Sequence, residues 1–137
     1  NSKGNTVDKE TIRVGAISEA MERNNVPASV AVKANGFVFI AGLPPVDHIT
    51  GKREICDVVR QTEIVLDNLK AVLEAAGSSL DKVVKCTVYI TNSGYYDAVN
   101  EVYARYFTDG VFPARTFVTV GSWPRPFDVE VDAIALA

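Results

Sequence analysis

Two charged residues near the end of the chain, Arg115 and Glu130, could together form an anion-binding site. They lie in two segments of alternating apolar and polar residues, 112–120 and 128–136, separated by a short stretch rich in turn residues. If the segments pair as a symmetric antiparallel hairpin, Arg115 and Glu130 lie opposite each other on one face. A guanidinium on a half-buried face beside Phe117 can bind an anion, provided that a pocket opens there.

A simpler interpretation of the same residues stays open. An arginine opposite a glutamate is commonly a cross-strand ion pair. Glu130 also alternates with Asp128 and Asp132, and such a row suits a strand face in contact with solvent. The residues alone do not decide between an ion pair and a binding site.

Composition excludes several classes of function. The 137 residues are 47% hydrophobic, which predicts one domain that buries roughly two thirds of its unfolded surface. Fourteen basic and 17 acidic side chains give a net charge of −3, so no basic face is expected and nucleic acid is not a predicted partner. Cys56, Cys86 and a single His48 are too few for a structural zinc site. No apolar run approaches the ~20 residues of a membrane span, and residues 1–25 lack a signal-peptide core. We expect a cytoplasmic protein with no membrane partner.

Residue patterns divide the chain into a loose arm, 1–25, in which Val14, Ile17 and Met21 have the spacing of one short helix, and a domain, 26–137. Asn35 and Gly36 between two apolar runs predict a hairpin, because both turn positions favour positive φ. The amphipathic segment between Asp57 and Gly77 predicts a helix, with Asp57 as its N-cap and Gly77 ending it. A strand follows at 83–90, with residues 84, 86, 88 and 90 facing the helices, then a helix at about 95–107 ended by residues 109–110.

The predicted element order is β-β-α-β-α-β-β. Two helices cannot cover both faces of a five-stranded sheet, so we predict an α+β sandwich with both helices on one face. The other face is expected to be too apolar for solvent and therefore to form the interface of a homo-oligomer. Its predicted residues are Lys85, Thr87, Tyr89, Arg115, Phe117 and Thr119.

Several local motifs resemble the RidA/YjgF family of reactive-intermediate (enamine/imine) deaminases over roughly residues 26–136. The matching pieces, in order, are GFVFIAG at 36–42, TG at 50–51, QT at 61–62, DNL at 67–69, EAAG at 74–77, VVK at 83–85, VNEVY at 99–103, YF at 106–107, FPAR at 112–115 and VEV at 129–131. Each motif alone is weak evidence, but their order and spacing together indicate that the chain is a member of this family.

The resemblance implies a chorismate-mutase-like α+β fold with a mixed sheet, assembled as a homotrimer with clefts between subunits. It implies that Arg115 grips the carboxylate of a 2-imino or enamine acid and that Glu130 positions the hydrolytic water. We expect Ala41, Gly42, Tyr89 and Phe117 to line the substrate site with Arg115. The expected partner is a small carboxylate-bearing imine, enamine or 2-oxo acid, and the reaction requires neither a metal nor a cofactor.

Departures from the family pattern make the surroundings of the expected site more apolar. Ala28 stands where active relatives usually have tyrosine, Ala41 replaces a serine, and Phe117 replaces a cysteine. These changes point to a bulkier or more apolar substrate. They also leave open an alternative function, a non-catalytic trimer that binds small carboxylates or acts as a chaperone-like module. A ribonuclease, named in older family descriptions, fits poorly with one histidine and a net negative charge.

Overall fold

The computed structural model describes residues 8–108 and 111–137 as one mixed sheet with three helices. The sheet has six strands in the order β1-β2-β3-β6-β4-β5. The elements along the chain are β1 (Glu10–Ile12), α1 (Gly15–Arg23), β2 (Ala31–Ala34), β3 (Phe37–Leu43), α2 (Val58–Ala75), β4 (Val83–Ile90), α3 (Tyr96–Tyr106), β5 (Ala114–Thr119) and β6 (Val129–Leu136). Short 3-10 turns at Leu80–Lys82 and Ser93–Tyr95 precede β4 and α3.

The predicted α+β class and the order of the seven main elements are confirmed. α1 is the short helix expected in the N-terminal segment, whereas β1, which pairs antiparallel with β2, was not predicted. α2 packs on β3 and β6, and α3 packs on α2, so both helices cover the same face. The prediction that residues 109–110 end the second helix lies outside the described residues.

Local signals placed the β2–β3 hairpin and α2 correctly. Asn35 and Gly36 have φ of 50° and 81°, as a two-residue hairpin turn requires. The Asp57 carboxylate accepts a hydrogen bond from the Arg60 backbone N–H at 2.9 Å, which caps α2. At the other end Gly77 has φ +79°, and the next N–H bonds back to the carbonyl of Leu73 at 2.8 Å, which forms a Schellman motif.

The predicted closing hairpin is wrong. β5 is an edge strand parallel to β4, and β6 lies between β3 and β4, antiparallel to both. The apolar side chains of β6, at residues 129, 131, 133 and 135, are at most 3% exposed, which suits a central strand covered by the helices. The more exposed β5 suits an edge. The connection at 120–128 therefore passes beyond β4 instead of folding β6 back onto β5.

The strand register also corrects which residues share a face. Arg115 pairs with Cys86 and Phe117 pairs with Val88, whose side chains are buried under the helices. Arg115 and Phe117 therefore face the helices, contrary to the prediction. The uncovered face instead carries alternate residues of β4 and β5: Lys85, Thr87, Tyr89, Ala114, Thr116 and Val118.

A second wrong prediction concerns the start of β4. The pairing with β6 shifts between residues 83 and 85, so Val83 is buried and Val84 is 40% exposed. The prediction that Val84 faces the helices is wrong, because an irregularity in pairing interrupts the alternation of a strand.

The face of the sheet not covered by α2 and α3 carries exposed apolar side chains. Phe39 is 43% exposed, Val118 36% and Leu136 46%. Among residues 8–108 and 111–137, no helix has the length and hydropathy to cross a membrane.

Candidate active site

Arg115 projects from edge strand β5 toward α3 and lies between two aromatic rings. Its guanidinium carbon is 4.8 Å from the centre of the Tyr103 ring and 4.9 Å from that of Phe117. Both distances are within the range of cation–π attraction. None of the salt bridges in the described part of the chain includes Arg115. The rings thus hold the guanidinium without neutralising it, which leaves its N–H donors for an anion.

A cavity of about 400 Å³ opens beside Arg115. Its other lining residues come from α3 and from the segment before β5: Asn100, Tyr103, Ala104, Phe112 and Pro113. Asn100 and Tyr103 belong to the VNEVY motif of the sequence, where an amphipathic helix would use them for packing or capping. Their spacing of three residues places both on one face of α3, which is the signal that joins them to Arg115.

Cys86, which pairs with Arg115 across β4 and β5, is in surroundings that disfavour a role as nucleophile. It is fully buried, and burial raises the pKa of its thiol to about 11. The thiol therefore stays protonated at neutral pH. Burial, followed by the Cys86 thiol, also raises the pKa of the Tyr103 hydroxyl. That hydroxyl has no hydrogen-bond partner among the described residues.

Glu130 lies on the opposite face of the sheet and packs directly on Gly42. A Cβ atom added to Gly42 would collide with a carboxylate oxygen of Glu130 and would lie 2.9 Å from its carboxyl carbon. Gly42 occupies the irregularity between Ile40 and Leu43 where the β3–β6 pairing shifts register. Only glycine leaves room for the glutamate at this point, so the backbone irregularity and the missing side chain together position the carboxylate.

The surroundings of Glu130 disfavour its charged form. Burial raises the pKa of its carboxyl above the usual value, and the negative charge of Asp132 raises it further. Tyr89, which pairs with Glu130 across the strands, donates its hydroxyl hydrogen bond to Asp132 at 2.7 Å. No arginine or lysine of the described chain forms a salt bridge with Glu130. A carboxylate of this kind is a better proton acceptor than an exposed one.

A second cavity, of about 330 Å³, opens next to Glu130. Ala41 and Gly42 line it together with Glu130, and α1 and the segment before β6 supply much of the remaining wall. The other lining residues are Ile17, Ala20, Met21, Asn24, Val26, Val30, Leu43, Pro44, Val46, Arg53, Asn68, Pro124, Arg125 and Phe127.

Two buried amides, for which the sequence analysis gave no role, hold the loops around this cavity. The Asn68 side chain donates to the carbonyls of Pro44, at 3.2 Å, and Val46, at 2.5 Å. The Gln61 side chain donates to the Cys56 carbonyl at 2.8 Å and accepts from the Asp128 N–H at 2.7 Å. Both amides project from α2. The helix therefore holds in place the loop that follows β3 and the segment that precedes β6, both of which line the cavity.

Within a single chain, the predicted site residues fall into two separate groups. Arg115 and Phe117 lie on the helix-covered face, whereas Gly42 and Glu130 lie on the other face, and Ala41 lines the cavity beside them. The cavities beside Arg115 and Glu130 share no lining residue. Tyr89 is on the Glu130 side but lines neither cavity. The predicted contact of Arg115 with Glu130 in one chain is therefore wrong.

Comparison with known proteins agrees with this architecture. The family profile described as Endoribonuclease L-PSP matches residues 20–137. A RutC family protein of Pyrococcus horikoshii is 47% identical over 109 residues, which cover 80% of this chain and 86% of the relative. The crystal structure of a Rid-family protein of unknown function from Yersinia pestis superposes with a TM-score of 0.85 at 38% identity, covering 94% of this chain and 99% of the other.

A third similar protein carries a named activity. The 2-iminobutanoate/2-iminopropanoate deaminase of Escherichia coli is 33% identical over 127 residues, covering 88% of this chain and 98% of the relative. The chain therefore belongs to the endoribonuclease L-PSP family, of which the RidA/YjgF proteins are members. The resemblance found in the sequence motifs and the chorismate-mutase-like α+β fold that it implied are both confirmed.

Proposed function

We propose that this protein hydrolyses the C=N bond of small 2-imino or enamine carboxylic acids to 2-oxo acids, with release of ammonia. The observation that carries the proposal is the half-buried Glu130, whose carboxyl has a raised pKa and no cationic partner among the described residues and which lies against a cavity. The similar deaminase of Escherichia coli supports the same chemistry.

A site that uses both charged groups requires two copies of the chain. Arg115 and Glu130 lie on opposite faces of one sheet, and each borders its own cavity. In an assembly, the edge strand β5 of one subunit can bring Arg115 to the Glu130 cavity of the next. The exposed apolar residues of the uncovered face, including Phe39 and Val118, supply surface for such contacts. We propose a homotrimer with one site at each subunit interface, as the family resemblance implies.

In the proposed reaction, Arg115 binds the substrate carboxylate through charge-assisted hydrogen bonds, each contributing roughly 1.5–3 kcal/mol. Glu130 accepts a proton from a water molecule while the water oxygen forms a bond to the imine carbon, and the C=N π electrons move to nitrogen. The nitrogen takes up this proton from Glu130 to give a tetrahedral amino alcohol. The hydroxyl group then gives its own proton to Glu130, which passes it to the nitrogen. As this happens the C–N bond breaks, ammonia leaves and the remaining oxygen forms the C=O bond. An enamine must first be protonated on carbon to give the imine.

The first prediction concerns the binding of the substrate carboxylate by Arg115. Arg115→Ala should lower kcat/KM for freshly generated 2-iminopropanoate by roughly 10- to 100-fold, because a charge-assisted contact is lost. Ammonia release under pre-steady-state mixing measures the rate above spontaneous hydrolysis. Arg105→Ala is the matched control, since Arg105 lies on the outer surface of α3 and pairs with Glu63. An Arg115→Ala protein as fast as wild type would show the assignment to be wrong.

A second candidate function is a non-catalytic binder of small carboxylates. The apolar residues Ala28, Ala41 and Phe117, at positions where active relatives usually have polar ones, favour it. Calorimetry with a 2-oxo acid distinguishes the two functions. Binding that is unchanged in Glu130→Gln, with no imine turned over by the wild-type protein, would select the binder.

A further inference from the structure

The cavity between α1 and the end of β3 has features that the proposed hydrolysis does not require. Attack by water needs the carboxylate of Glu130 and space for the imine carbon. The cavity instead extends from Glu130 as far as Ile17, Ala20 and Met21 of α1, and its volume of about 330 Å³ lies within the range of small-molecule sites.

The walls of this cavity are mostly apolar. α1 contributes Ile17, which is anchored in the core at 6% exposure, and Met21, whose flexible thioether side chain adapts to differently shaped groups. Leu43, Val46 and Phe127 are further apolar side chains of the lining.

The amide side chains of the cavity are already engaged with backbone carbonyls. The Asn24 amide donates to the Ala20 carbonyl at 2.8 Å, and the Arg125 guanidinium donates to the Pro124 carbonyl at 2.9 Å. The Asn68 amide is held by two loop carbonyls. Arg53 is an exposed cation of the lining. Arg125 is likewise exposed. Apart from these two exposed arginines, the side chains that line the cavity offer few free hydrogen-bonding groups besides Glu130, so its mostly apolar walls favour an uncharged apolar group over a polar one.

We infer that this cavity receives the side chain of the 2-imino acid, so that the protein selects substrates with large apolar side chains over the smallest ones. This inference rests on the proposed function, because the cavity receives that side chain only when the imine carbon lies at Glu130. The substrate class is a 2-imino acid with an aliphatic side chain of about four carbons, or with a thioether or phenyl group of comparable size.

A substrate series tests the inference on the wild-type protein. Imines generated from alanine, leucine and glutamate by an amino-acid oxidase present a small, a large apolar and a charged side chain. We expect kcat/KM for the leucine-derived imine to exceed that for the alanine-derived imine by about tenfold or more, since buried methylenes give discrimination of this order. Equal rates would overturn the inference. A glutamate-derived imine that reacts fastest would also overturn it, by assigning the pocket to Arg53 and Arg125.

A variant that fills the cavity provides an independent test. Ala20→Phe adds a phenyl group to the α1 wall, and Glu19→Phe, at an exposed position of the same helix, is the matched control. Ala20→Phe should lower kcat/KM for the leucine-derived imine by roughly tenfold, change the alanine-derived rate by less than about threefold, and leave the control at wild-type values. An unchanged ratio of the two rates in Ala20→Phe would contradict the inference.

Binding measurements separate failure of the inference from failure of the proposed function. If the wild-type protein hydrolyses none of the imines, the proposed function fails, and calorimetry with 2-oxo acids still tests the cavity. Tighter binding of 4-methyl-2-oxopentanoate than of pyruvate, lost in Ala20→Phe but kept in Glu19→Phe, would support the cavity as a side-chain site. Equal binding of the two acids would refute it.

Discussion

Glu130 is the residue whose environment contributes most to the proposed chemistry. A strand glutamate in a row of acidic residues is ordinarily a solvent-facing group, and the sequence allowed that interpretation. The structure shows a half-buried carboxylate packed on a glycine, with Asp132 as its charged neighbour and no salt bridge among the described residues. Burial and the neighbouring negative charge both raise its pKa, which matches a group that must accept a proton from water.

The pH dependence of the reaction follows from that shift. Only ionised Glu130 accepts a proton, so kcat/KM should fall as pH drops through a pKa that lies above the ordinary 4.5. Glu130→Gln should lower kcat by roughly 100-fold or more and remove this acidic limb. Initial rates of ammonia release across a pH series, on both proteins, measure the effect. An acidic limb at or below pH 4.5, or one that persists in Glu130→Gln, would contradict the assignment.

Stability provides a second readout of the same residue. Because the folded-state pKa is raised, the contribution of Glu130 to stability is fully present below its unfolded-state pKa and is lost as pH rises through the folded-state value. The stability of wild type relative to Glu130→Gln should therefore decrease as pH increases from acid to neutral. Chemical denaturation at several pH values measures this difference, and an increase with pH would have the wrong sign.

At the scale of elements, the irregular pairing of β3 with β6 positions the site. The register shift places Gly42 beneath Glu130, where no side chain fits. The family-like GFVFIAG motif drew attention to this segment, but the reason for its last glycine is a tertiary contact. The same strand supplies Ala41 to the cavity wall. β3 is therefore both a strand of the β2–β3 hairpin and part of the candidate site.

Gly42→Ala should destabilise the fold by about 1–3 kcal/mol, because the added methyl collides with Glu130. Gly121→Ala is the matched control, since a Cβ there meets nothing within 4 Å. The double variant Gly42→Ala/Glu130→Ala removes the collision, so the two changes should cost less together than the sum of each alone. Strictly additive unfolding free energies from denaturant titrations would show that the predicted collision does not occur.

At the scale of the whole molecule, the sheet separates the two charged groups that the proposed reaction needs. Arg115 lies on the helix-covered face at an edge strand, and Glu130 lies on the uncovered face of a central strand. In the proposed assembly, one chain therefore contributes to two different sites. Under this proposal activity depends on assembly, and the composition of the site can be tested without a structure of the assembly.

Mixing two inactive variants tests the shared site. Arg115→Ala and Glu130→Gln each damage every interface of their own homo-oligomer. After the two are unfolded together and refolded at equal concentration, about one quarter of the interfaces should combine an intact Arg115 with an intact Glu130. We expect recovery of roughly that fraction of wild-type ammonia release.

Recovery requires mixed oligomers, so each variant refolded alone is the control. Light scattering must also show that the refolded species are larger than a monomer. Absence of any recovery in mixed oligomers would place both residues of a site in the same chain and would contradict the two-copy proposal.

Local signals in the sequence determined most of the fold. Asn35 with Gly36, Asp57 and Gly77 act on the backbone within a few residues, and the hairpin and α2 formed where these signals predicted them. The alternation of apolar residues likewise located β4 and β6, because burial of one strand face has a period of two whatever the neighbours are. These features need no knowledge of distant contacts.

The sequence also identified Arg115 and Glu130 as charged residues in largely apolar strands, but it did not determine how the two are placed relative to each other. Proximity along the chain suggested a hairpin, whereas tertiary packing inserts β6 between β3 and β4 and sends β5 to the sheet edge. The physical reason is burial. β6 has an apolar face that the helices must cover, and its buried backbone N–H and C=O groups need a hydrogen-bonded strand on each side. β5 is more exposed and can lie at the edge of the sheet. Strand order, the collision at Gly42 and the raised pKa of Glu130 all depend on contacts between distant segments, and only the tertiary structure decides them.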